Sequence, residues 1–152
     1  MRFLEHRVPP PLVGAITAAL MWWATGMTGP RWPGGLQGAA VALLLAAGLA
    51  IDLAGLRAFL ASRTTVNPMR PERASVLVTG GVYRFTRNPM YLGMACLLVA
   101  WALVLPSHAA LLGPLAYTLY LTRFQIVPEE RVLTGLFGDG YRAYMARVRR
   151  WI

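Results

Sequence analysis

Hydrophobic residues along this chain fall into four blocks, separated by two short polar breaks and one long one. The first block, residues 11–27, is interrupted only by Thr17 and Thr25 and has roughly the length that a membrane-crossing helix needs. No small-residue cleavage site leading into a hydrophilic chain follows it, so it reads as a span and not as a signal peptide. A tight connection rich in proline and glycine, residues 28–35, leads to a second block at 36–60, broken only by Gln37, Asp52 and Arg57. The two blocks predict an antiparallel helical hairpin. Residues 61–89 are polar and rich in Arg, Pro and Thr, a stretch of about thirty residues that is longer than a bare connector needs. Apolar character resumes over 90–105, stops at Pro106, Ser107 and His108, and returns over 109–127, with Pro114 as a predicted kink. This is a second hairpin of short helices: sixteen residues at 90–105 rise about 24 Å, less than a hydrocarbon core of ~30 Å. In the tail, 128–152, Leu133, Leu136, Phe137, Tyr141, Tyr144, Met145 and Val148 recur at helical spacing, and residues 138–140 break the pattern into two short amphipathic helices expected at the membrane surface. The expected fold is therefore all-α and integral to a membrane, one domain of four transmembrane helices in two hairpins.

Composition sharpens this picture. Of the 152 residues 57% are hydrophobic and only 14% charged, against about 25% charged in ordinary soluble domains. All 15 basic residues are arginine, which excludes a Schiff-base lysine, a phosphate-binding P-loop lysine and a lysine general base. The net charge of +9 would suggest nucleic acid in a soluble protein, but these arginines lie between apolar blocks, where they suit the anionic cytoplasmic face of a bilayer. With four spans, Arg2 and Arg7, the stretch from Arg57 to Arg87 and the tail from Arg123 to Arg150 share one side, and the opposite loops hold only Arg31. Both termini and the 61–89 loop are therefore expected in the cytoplasm. The single cysteine, Cys96, forbids an internal disulfide and reads as a small buried hydrophobe; His6 and His108 are too far apart in sequence to suggest metal ligands.

Chemistry concentrates in two places. In residues 77–93, Asn88 and Pro89 form a helix start, where an Asn side chain can cap free amides and proline suits the first helical position. Flanked by Arg84 and Arg87, that start is either a capped helix with interfacial arginines or an anion site for a carboxylate or phosphate, with Tyr83 and Tyr91 as aromatic faces. In residues 123–131, Pro128 again suits a first helical position, and Glu129 and Glu130 either complement a helix dipole or, if the hairpins pack side by side, approach the Arg87 region. Asp52 lies inside a span, which marks either a functional acid or an interfacial partner of Arg57. Gly34, Gly38, Gly48 and Gly55 predict close helix packing.

The run Gly81-Val82-Tyr83, the motif Arg87-Asn88-Pro89-Met90-Tyr91-Leu92-Gly93, the hairpin, Pro128-Glu129-Glu130 and the segment from Phe137 to Tyr144 resemble the isoprenylcysteine carboxyl methyltransferase family and its phospholipid methyltransferase relatives, over about residues 64–151. The resemblance implies a small bacterial-type enzyme of the inner membrane that binds S-adenosylmethionine on the cytoplasmic side and methylates a lipophilic acceptor arriving from the bilayer. Carried over residue by residue, it implies that Ser75, Val76, Leu77, Val78, Tyr83, Arg87, Asn88, Pro89, Met90, Tyr91, Glu129 and Glu130 bind the cofactor. It matches Arg123 to the family's substrate-side arginine, expected to face the space between the hairpins. Asn88 stands where the family motif has histidine, and Ser75 replaces a histidine of some relatives. The residue types suit the ligand: its carboxylate calls for an arginine or a helix start, its ammonium for a glutamate, its adenine for aromatic faces. Two other classes share part of this pattern, a sterol-type membrane reductase using NADPH and a non-catalytic membrane protein.

Overall fold

Proline at the first helical position, with glycine or proline two positions past the last one, bounds the helices Pro10–Ala24 and Pro89–Val104. The computed structural model describes residues 5, 7–62 and 71–152, and among these every regular element is helical. Arg2, His6, Arg63 and Arg70, with the rest of residues 63–70 in the long loop, lie outside the described residues. Helix α1, Pro10–Ala24, ends before Gly26 and Met27, whose φ angles of 71° and 56° are left-handed, so it stops short of the end of the first apolar block. Helix α2 is Gly35–Ala61 and α3 is Pro89–Val104; α3 stops because Leu105 precedes Pro106 and is extended. A 3₁₀ turn at His108–Leu111 leads into α4, Leu112–Leu121. Pro114 falls in the first turn of α4, where a missing N–H costs nothing, and does not kink it.

From α4 the chain continues without a break through a π turn at Thr122–Ile126 into α5, Val127–Arg147. Pro128 is therefore not at a free helix start. In a regular helix its ring would collide with the carbonyl four residues back, and the wider π turn immediately ahead accommodates it. Glu129 and Glu130 consequently face no array of free amides, and the dipole explanation for them falls away. Gly138, at φ 52° and ψ −125°, kinks α5 where the sequence predicts a break.

Helix α3 is central. One side carries α2, and the other carries α1 and α4. Small residues decide this pairing: at the α2–α3 crossing a Cβ on Gly48 would lie 2.9 Å from the Gly93 carbonyl, and one on Gly93 only 2.6 Å from the Gly48 carbonyl. On the other side Gly14 of α1 admits the Met94 side chain. The main partner of α2 is thus α3, not α1, which corrects the first of the two expected hairpins, while α3 and α4 do pack together. Gly55 also packs on α3, against Pro89 and Met90, whereas Gly34 meets nothing. Asp52 turns toward Gly93, where its Oδ1 is buried without a hydrogen-bond partner among the described residues, and the pairing with Arg57 is not formed.

The core runs along α3 through Tyr91, Ala95, Leu98 and Ala102, which meet Val13 and Met21 of α1 and Tyr117, Leu121 and Ile126 of the α4–π segment. Outward faces are apolar too, with Leu12, Leu20, Leu43, Leu53 and Leu119 exposed, as expected where lipid replaces water. Among the described residues, α2, with 27 residues, is the one helix long and apolar enough by itself to cross a membrane; α1 and α3 have 15 and 16.

Candidate functional site

At one end of the bundle, the segment before α3 folds over the mouth between α2 and α5. Gly81, with φ 58°, opens a 3₁₀ turn, Gly81–Arg84, that turns Tyr83 inward until it is buried. The Phe59 ring from α2 meets Tyr83 edge-on at 5.4 Å, and Tyr144 of α5 donates its hydroxyl to the Tyr83 carbonyl at 2.7 Å. Burial pushes the Tyr144 phenol up to about 12 and the Tyr83 phenol higher still, so both stay neutral donors at physiological pH.

Arg87 and Asn88 follow, and neither behaves as an isolated helix-start residue. The Asn88 side chain does not cap α3; its Nδ2 donates to the Arg150 carbonyl at 2.9 Å, while the backbone N–H of Arg87 donates to the Arg149 carbonyl at 3.0 Å. The carbonyl groups of residues 149–150 thus lie at the start of α3, beside the place where the sequence suggested an anion. Arg87 reaches Glu130, with Nη2 to Oε1 at 2.8 Å, and its Nε is buried with no partner among the described residues. Arg84 is exposed and does not join this cluster.

Glu129 completes the constellation. The Tyr91 hydroxyl donates to Glu129 Oε2 at 3.4 Å, and the Gln125 side chain in turn hydrogen-bonds Tyr91. Desolvation pushes the Glu129 carboxyl up to about 7; the Tyr91 bond opposes this and the neighbouring Glu130 adds to it. A carboxylate this buried, with one long hydrogen bond, suits a cationic ligand group.

These side chains surround a cavity that opens to one side, ≈ 820 Å³ when the space at its mouth is counted. Val76, Leu77, Val78, Tyr83, Arg87, Asn88, Pro89, Met90, Tyr91, Glu129 and Glu130, to which the resemblance gives a cofactor role, all line it. Ser75 is exposed beside the wall and does not line it.

Arg123 is not brought to the cavity either. Its guanidinium is half-exposed, stacks on Phe124 at 5.4 Å and pairs with Glu5 at 3.5 Å, a carboxylate it shares with Arg131 at 2.9 Å. The expectation that Arg123 faces the space between hairpins is therefore corrected. Sequence reasoning missed Phe59, Leu133, Phe137, Tyr141 and Tyr144, which also line the cavity. The last four lie on the periodic face for which the sequence predicts a place at the membrane surface. Tyr141, Tyr144 and Val148 instead pack with Leu77, Leu133, Phe137 and Met145 to form one wall of the site.

Comparison with known proteins bears on this geometry. The family model for phospholipid methyltransferase matches residues 36–140, which include most of the cavity's lining. An uncharacterised protein of Haemophilus influenzae is 44% identical over 63 residues, 41% of this chain and the whole of that protein. Methanethiol S-methyltransferase 1 of Bradyrhizobium diazoefficiens is 40% identical over 67 residues, 44% of this chain and 22% of the relative. Protein-S-isoprenylcysteine O-methyltransferase of Schizosaccharomyces pombe is 36% identical over 80 residues, 48% of this chain and 31% of the relative. The matched stretches thus span less than a third of the two named enzymes.

Proposed function

Because this chain belongs to the phospholipid methyltransferase family, we propose that it is an integral membrane, S-adenosylmethionine-dependent methyltransferase acting on a lipophilic acceptor at the cytoplasmic face of a bacterial inner membrane. The observation that carries this reading is the convergence of Arg87, Tyr91 and Glu129 on one cavity from separate parts of the chain.

The residues present fit the cofactor. Arg87 Nε is a buried donor with no partner, suited to the carboxylate. Glu129 suits the ammonium, and the aromatic rings of Tyr83, Tyr91 and Tyr141, with the apolar side chains of Val76, Leu77 and Val78, suit the adenine and ribose. When bound, S-adenosylmethionine supplies an electrophilic methyl group on a sulfonium. The chain's own part is to orient the two reactants and keep water out, for an in-line displacement with no covalent enzyme intermediate.

Four spans, with both termini and residues 61–89 in the cytoplasm, accord with the arginine distribution and the exposed apolar faces of α1, α2 and α4. The substrate-orienting role implied for Arg123 is not carried forward, because its guanidinium is paired with Glu5 outside the cavity. Incubating membranes that contain the protein with methyl-labelled S-adenosylmethionine tests the reading. Label should pass into material extractable by organic solvent. Label confined to water-soluble products, with the cofactor bound, would overturn the lipophilic acceptor.

A further inference from the structure

Residues 149–151 run as a strap from the start of α3 to the π turn. Besides the two carbonyl contacts already described, Thr86 Oγ1 donates to the Arg150 carbonyl at 3.4 Å, and the Trp151 indole donates to Thr122 Oγ1 in the π turn at 3.1 Å. The Arg150 side chain then turns back onto Glu130 and pairs with both oxygens, Nε to Oε1 at 3.0 Å and Nη2 to Oε2 at 2.7 Å. Arg87 reaches the same carboxylate with Nη2 alone. Glu130 is thus clamped bidentately by one arginine and monodentately by the other, and only the monodentate one lines the cavity.

This division has a chemical consequence. A guanidinium and a carboxylate prefer two parallel hydrogen bonds, and Nε with one Nη offers such a fork. While Arg150 occupies both oxygens of Glu130, Arg87 cannot form that fork, and its Nε remains without a partner. Without Arg150, Oε2 would lose its partner, and the nearby unused donor is Arg87 Nε. We propose that Arg150 is a positioning residue for the cavity: by saturating Glu130 it keeps Arg87 Nε free to bind the carboxylate of the ligand. The inference rests on the cavity's being the cofactor site.

Calorimetric titration of the detergent-solubilised protein with S-adenosylhomocysteine tests it, with the thermal unfolding midpoint followed in parallel. Arg150→Ala should weaken binding about tenfold or more. Adding Glu130→Gln to Arg150→Ala should recover much of that loss, because a neutral amide no longer competes for Arg87. A merely structural strap gives the opposite order, with the double variant binding no better than the single one. Binding in Arg150→Ala equal to that of the unaltered protein, or no recovery in the double variant, would overturn the proposal. Failure of the unaltered protein to bind S-adenosylhomocysteine would instead overturn the cofactor reading itself.

Discussion

Tyr91 donates its hydroxyl to Glu129 across 3.4 Å, although 38 positions separate the two residues. One stands in the first turn of α3 and the other two positions into α5, so the contact measures how the N-terminal end of one helix meets the continuation of another. It also joins two of the stretches on which the family resemblance rests.

If Glu129 receives the cofactor's ammonium, Glu129→Gln removes a charge-assisted hydrogen bond and should weaken S-adenosylhomocysteine binding by about 1.5–3 kcal/mol, roughly ten- to hundredfold. Tyr91→Phe, which loses only the long bond at 3.4 Å, should cost less. Equal affinity in both variants and the unaltered protein would take Glu129 out of the site.

The raised Glu129 carboxyl, at about 7, gives binding and folding opposite pH dependences. A cation needs the ionised form, so affinity should fall as pH drops below about 7, and Glu129→Gln should flatten that slope. For folding the sign reverses. Between the ordinary value of 4.5 and about 7 the folded chain holds a proton that the unfolded chain has released. This group's contribution to stability is therefore complete below 4.5 and is lost as pH rises through 7. Titrations and unfolding curves at several pH values read both slopes; parallel slopes would contradict the assignment.

Gly93→Ala should separate α2 from α3, because the new methyl would lie 2.6 Å from the Gly48 carbonyl, a backbone atom that cannot rotate away. Overpacking of this kind costs about 1–3 kcal/mol, read as a lowered unfolding midpoint in detergent. An unchanged midpoint would show that the crossing is looser than described.

Topology is tested by accessibility labelling. In a protein whose Cys96 has been replaced, Ser75→Cys should react with an impermeant thiol reagent only from the cytoplasmic side. Reaction only from the opposite side would invert the chain and move the site to the wrong face.

Much of this site was legible because its parts are contiguous in sequence. Residues 76–78, 83, 87–91 and 129–130 each carry their chemistry in a short motif, and all reach the cavity. What could not be read depends on register and on partner. A π turn adds a residue to the helical repeat, so faces inferred from a period of 3.6 fail across Thr122–Ile126, and Arg123 lands outside. An amphipathic face looks the same in sequence whether it meets lipid or protein, so the spacing of Tyr141 and Tyr144 does not reveal that they pack against Leu77. The pairing of α2 with α3 depended on Gly48 and Gly93 meeting across the fold. Hydropathy located both helices without revealing that contact.

The central claim, that the cavity between Tyr83, Arg87, Tyr91 and Glu129 is a site for S-adenosylmethionine, is tested most directly by titrating the purified protein calorimetrically with S-adenosylhomocysteine and, separately, with NADPH. The account predicts saturable binding of S-adenosylhomocysteine, weakened in Glu129→Gln, and no binding of NADPH. Saturable binding of NADPH without binding of S-adenosylhomocysteine would contradict it and return the chain to the reductase class.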